Sequence, residues 1–125
     1  MLLLNVTDSN GKPLKMIKGD RLPDWTGKGT AENGNYGGLP GAVFARVLGD
    51  DNGNLHVPFW KATRVVSDTR IRPKKSVELK FEFTVEDPED EPTAQASLIY
   101  RPVIRPLATI KNWDAKDILI TSSFW

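Results

Sequence analysis

Between residues 76 and 85 apolar and polar side chains alternate without a break. Val77, Leu79, Phe81, Phe83 and Val85 fall on one side, and Ser76, Glu78, Lys80, Glu82 and Thr84 on the other. A period of two sets one face against a core and the other in water, which predicts an antiparallel strand over the whole run. Leu2, Leu4 and Val6 alternate with Leu3, Asn5 and Thr7, and Asp8-Ser9-Asn10-Gly11 supplies a turn towards a return strand at residues 14–18. Residues 42–48 are apolar on both faces apart from Arg46, as a more central strand would be. After the turn at residues 50–54 come a short strand at 55–57 and longer ones at 61–67, 93–101 and 117–121. No stretch carries a helical period of useful length.

Nine prolines and ten glycines lie between these runs, as the turns of a β-sandwich require. The pattern predicts one all-β domain over residues 1–125: an immunoglobulin-like antiparallel sandwich of about seven strands with long Gly/Pro-rich loops. Its expected core is Leu4, Val6, Phe44, Val47, Trp60, Val65, Ile71, Leu79, Phe81, Phe83, Leu98, Tyr100 and Ile118. Two long loops, residues 19–39 and 102–116, are expected to be functional or packed by their own side chains.

Composition narrows the function classes. Seventeen basic residues against sixteen acidic ones give no basic excess for a nucleic-acid binder. No apolar run is long enough for a membrane span, and the four apolar residues at the start lack the basic and hydrophobic regions of a signal peptide. The absence of cysteine excludes disulfides, thiolate metal sites, a cysteine nucleophile and the C-x-x-C-H attachment of c-type haem.

Candidate chemistry is sparse. His56 is the sole histidine and sits beside a turn with no orienting partner in sequence, so a structural role is expected. Asp50, Asp51, Asn52 and Asn54 begin like a calcium loop, but position twelve is Lys61 and not a closing carboxylate; a plain turn is the better reading. Gly34-Asn35-Tyr36-Gly37-Gly38 matches neither dinucleotide nor P-loop patterns. Asp68-Thr69-Arg70-Ile71-Arg72-Pro73 reads as a structural corner that Arg70 locks by pairing with Asp68 or with strand carbonyls and that Pro73 ends, with Trp60 expected in the core. Trp25, Tyr36 and Trp113 lie in the long loops and are candidate ligand or partner contacts. With no nucleophile–base pair and no metal set, an enzyme is not expected.

The ordered series LNVTDSNGK, the Gly/Pro-rich loop, PGAVFARVLGDDNGN, VPFWKATRVVSDTRIRP, the alternating strand and ASLIYRP carries a resemblance. It resembles the C-terminal, haem-free β-sandwich domain of bacterial and archaeal multihaem c-type cytochromes, over nearly the whole chain. Phe44-Ala45-Arg46-Val47-Leu48, Trp60-Lys61-Ala62 with Asp68-Thr69-Arg70-Ile71, and Leu98-Ile99-Tyr100-Arg101 are its most telling pieces. The resemblance implies a non-catalytic accessory domain in electron transfer, periplasmic or extracellular. Its partner would be the haem-bearing region of the same parent or a redox partner, with haem c only in the parent and no cofactor here. Such domains open with a Gly-His…Pro-Thr-Gly strand that is missing from this chain, so an excised fragment is expected. Losing that neighbour would leave Leu2–Thr7 as an open edge through which copies associate weakly. The alternative function is a carbohydrate- or surface-binding module using Trp25, Tyr36 and Trp113.

Overall fold

The structure is a computed structural model and describes residues 1–125. The strands are β1 (Leu2–Thr7), β2 (Lys15–Lys18), β3 (Gly41–Ala42), β4 (Arg46–Gly49), β5 (Arg64–Asp68), β6 (Glu82–Thr84), β7 (Thr93–Tyr100) and β8 (Ile118–Phe124). One helix, α1 (Arg105–Lys111), lies between β7 and β8, and every strand pairing is antiparallel. The protein is therefore all-β. The chain divides into two compact units, Met1–Ala42 with Leu79–Trp125, and Val43–Glu78.

The larger unit is built on a four-stranded sheet in the order β3-β1-β7-β8. β1 and β7 run in register from Leu2↔Leu98 to Thr7↔Thr93, the longest uninterrupted ladder in the chain. The β1 turn closes on Asp8, whose Oδ1 accepts from the N–H groups of Asn10 (2.9 Å) and Lys12 (2.8 Å). The return strand does form, but Pro13 has no N–H with which to continue a ladder, and only one bridge, Thr7↔Pro13, joins it to β1. β2 pairs instead with β6 as a separate two-stranded sheet.

The alternating run at 76–85 becomes a strand only over Glu82–Thr84. Its ladder can be no longer than its partner, and β2 has four residues and a bulge between Met16 and Lys18. The burial period survives without the ladder: Leu79, Phe81 and Phe83 are half-buried while Lys80, Glu82 and Thr84 are exposed. Val77 and Val85 are exposed.

Residues 42–48 are not one strand. β3 ends at Ala42 and β4 begins at Arg46, with the division between the two units at Val43. The loop at 102–116 contains α1, whose seven residues are too few to show a period in sequence. Pro106 stands in its first turn, where a missing N–H leaves no bond unmade, and Asn112 closes it in the left-handed conformation (φ 52°).

The smaller unit is a β4–β5 ribbon with its connecting turns. A two-stranded ribbon has little to pack against, and β5 is exposed at every position. The expected core divides accordingly. Val47 is buried, and Leu4, Val6, Phe44, Leu79, Phe81, Phe83 and Leu98 are half-buried. Trp60, Val65, Ile71, Tyr100 and Ile118 are exposed, contrary to expectation. The most buried apolar residue is Leu22, 1% exposed, from within the first long loop.

β1 is not the open edge. It has β7 on one side and β3 on the other, extended by the Leu4 N–H to Pro40 and Leu14 N–H to Val6 carbonyl bonds. The long unpaired edge of this sheet is β8.

Candidate functional site

In the larger unit both long loops converge on Arg101, at the end of β7. Its guanidinium donates Nε to Asp117 Oδ1 (2.7 Å) and Nη2 to Asp117 Oδ2 (2.6 Å), a two-pronged ion pair with side chains 7% and 12% exposed. Nη1 donates to the Thr26 carbonyl and Nη2 also to the Gly34 carbonyl (2.6 Å). The planar fork suits a carboxylate and two carbonyls at once, which an ammonium could not do. Arg105, in the first turn of α1, adds Nε to Gly34 O (3.2 Å) and a 3.5 Å contact to Asp117 Oδ2. Gly34 has φ 71°, and a methyl group there would overlap the Arg105 guanidinium. No buried side-chain nitrogen or oxygen is left without a partner.

This cluster engages Tyr36. Arg101 lies over its ring at 5.2 Å from the centroid. Burial, then the Asp117 charge, raise the phenol above its ordinary value of 10.0, with Arg101 and Arg105 opposing and an Asp117 hydrogen bond adding to the rise. Of the three loop aromatics, Tyr36 is thus held inside a polar lock, Trp25 is half-buried in a 3₁₀ turn (Asp24–Thr26) against which α1 packs, and Trp113 is 54% exposed. The lock was not legible in sequence: Arg101 and Asp117 are sixteen residues apart at the borders of a loop, and only the return of β8 alongside β7 joins them.

In the smaller unit the Asp68–Arg70 corner forms a tight pair. Arg70 donates Nε to Asp68 Oδ1 (2.8 Å) and Nη2 to Oδ2 (2.6 Å). That pairing holds the Asp68 carboxyl down at about 2, well below its ordinary 3.8. Thr69 ties the corner to β4's approach, donating Oγ1 to the Val43 carbonyl (2.7 Å) and accepting from the Ala45 N–H (3.1 Å). Asp50 spends its carboxylate on its own turn, accepting from Asn52 N (3.0 Å), Asn54 N (2.9 Å) and Asn54 Nδ2 (2.8 Å). His56 is half-buried with φ 57°, and burial lowers its imidazole below the usual value.

Trp60 is the main correction among the site residues. It does not lie in the core. It stands 70% exposed in a 3₁₀ turn (Phe59–Lys61), edge-to-face with Phe59, itself 77% exposed, at 5.0 Å and 86°. Two adjacent large aromatics in water are costly to leave uncovered and are common at protein interfaces. A second apolar surface lies on β8 of the larger unit, where Ile118, Leu119, Ile120 and Phe124 are all exposed, with Trp125 beyond them.

No protein family, curated protein or solved structure matches the chain. No helix is long and apolar enough to cross a membrane.

Proposed function

We propose that the chain is a non-catalytic accessory domain of a multihaem c-type cytochrome, acting in electron transfer at the periplasm or cell surface as a docking module. Its sandwich-like, immunoglobulin-like character belongs to the same proposal. The observation that carries it is the exposure of Phe59 and Trp60. Trp60 opens the Trp60-Lys61-Ala62 piece of the motif series, yet it contributes nothing to a core. An indole held in solvent against a second ring serves contact with another surface better than it serves folding.

The charge of the smaller unit points to the kind of surface it meets. Seven basic residues stand against four acidic ones between Val43 and Glu78, and Lys61 directly follows the aromatic pair. An apolar patch ringed by acidic groups on the haem-bearing region, or on a redox partner, is the complement. Haem and its redox chemistry belong to the parent chain in this reading, and this chain supplies binding surface.

The test is the source DNA read in frame upstream of the Leu2 codon. Several C-x-x-C-H motifs are expected there. A ribosome-binding site and start codon immediately before it would overturn the proposal. The carbohydrate-binding alternative has less geometric support, because the Arg101 guanidinium covers one face of Tyr36. Binding to a polysaccharide panel that is lost in Trp113→Ala would revive it.

A further inference from the structure

We infer that the hollow on one face of the β1–β7 ladder is a binding site for a small uncharged molecule, a ring-sized apolar body ending in an amide or lactam that meets Asn5 and Gln95. The inference goes beyond the proposed function and stands without it.

The hollow lies in the larger unit and holds about 380 Å³, within the range of small-molecule sites. Its floor follows from register. β1 and β7 pair without a bulge, Leu3 opposite Ser97 and Asn5 opposite Gln95. Directly opposed residues share a face, as do residues two apart on one strand. These four side chains therefore lie together, and all four line the hollow. Backbone bonds hold the walls to this floor. The Leu4 N–H donates to the Pro40 carbonyl (2.9 Å) and the Leu14 N–H to the Val6 carbonyl (2.8 Å), so both neighbours of Asn5 anchor a wall. Half-buried Leu14, Leu39 and Phe83 supply apolar surface. The shape stands ready-made, and little ordering opposes binding.

The lining chooses the ligand. It contains no charged side chain, so an ammonium or a carboxylate would give up its water there with nothing to offset the loss. Two polar groups interrupt the hydrocarbon with bonds to spare. The Asn5 and Gln95 amides make no hydrogen bond within the chain, whereas the Ser97 hydroxyl is already in contact with that of Ser122 (3.0 Å). Their placement is fixed by the ladder. Leu4 and Val6 turn their backbone groups towards Pro40 and Leu14, so those of Asn5 face β7 and pair with Gln95. Each amide offers an acceptor oxygen and a donor NH₂. An amide or lactam on the ligand presents the matching donor and acceptor, while its apolar body covers Leu14, Leu39 and Phe83. A plain hydrocarbon would strip water from both amides and return no bond.

The test is an NMR chemical-shift titration of the nitrogen-labelled 125-residue chain with three probes of one shape: 2-naphthamide, 2-methylnaphthalene and 2-naphthoate. 2-Naphthamide is expected to saturate, shifting the backbone signals of residues 3–6 and 95–97 and the side-chain amide signals of Asn5 and Gln95. 2-Methylnaphthalene is expected to bind at least about fivefold more weakly, for want of the hydrogen bonds, and 2-naphthoate weakest of all. Asn5→Ala and Gln95→Ala are each expected to weaken 2-naphthamide by about 2- to 10-fold and to leave 2-methylnaphthalene no weaker. Both variants are checked for folding by far-UV circular dichroism. Should either unfold, the order of the three probes on wild type decides without it. No saturable shift, shifts centred on Phe59 and Trp60 instead, 2-naphthamide failing to bind tightest of the three, or folded variants that bind it as wild type does would each overturn the inference.

Discussion

Four side chains decide how far residue-level chemistry carries this fold. Arg101 donates to one carboxylate and two loop carbonyls from an almost fully buried position. Arg101→Ala leaves Asp117 buried without its fork and is expected to cost about 3–5 kcal/mol in urea unfolding. Arg101→Lys is expected to recover only part of that loss, since an ammonium is not a planar fork. Asp68 behaves differently because its pair is in water. Its folded value of about 2 lies below the ordinary 3.8, so its contribution to stability is complete above about 3.8 and is lost as pH falls through about 2. A carboxyl-carbon NMR titration should place the midpoint near 2 in wild type and move it towards 3.8 in Arg70→Ala. Trp60 and Leu22 then separate surface from core. Trp60→Ala is expected to alter stability by no more than about 0.5 kcal/mol, as surface substitutions do. Leu22→Ala is expected to cost about 2–5 kcal/mol, as a fully buried leucine does. A thermal or urea melt that reversed that order would return Trp60 to the core.

At the scale of elements, what the sequence made legible was local and what it hid was pairing. The alternation over 76–85 correctly separated the half-buried Leu79, Phe81 and Phe83 from their exposed neighbours, yet it carried no information about the length of β2 opposite it. The ladder therefore stops at three residues. β7 was legible because its alternation coincides with two real neighbours, β1 and β8. α1 was hidden by its shortness, and Leu22 by standing in a Gly/Pro-rich stretch where no period exists to mark it. Loops that look like connections in sequence thus hold the lock and the most buried leucine of the larger unit. Hydrogen exchange should reproduce this division: β7 amides, bonded into a sheet flanked on both sides, are expected to exchange slowest, and those of residues 76–81 quickly. Slow exchange across 76–81 would show a ladder there that the structure lacks.

At the scale of the molecule, the sequence supported an all-β protein and the structure bears that out, with eight antiparallel strands and one short helix. The open edge expected at β1 is found instead at β8, because a strand's neighbours depend on where the chain returns and not on where it begins. Candidate contact residues shift in the same way. Tyr36 is absorbed into the Arg101 lock, while Trp60, read as core, stands in solvent beside Phe59. Their exposure and the basic excess of their unit are the observations from which the docking proposal is argued. An antiserum against the 125-residue chain, applied to periplasmic and cell-surface fractions of the source and compared with a stain for covalent haem, tests that account most directly. The expected result is one band, larger than 13.9 kDa, that carries both signals. A haem-negative band at the mass of the chain itself would contradict it.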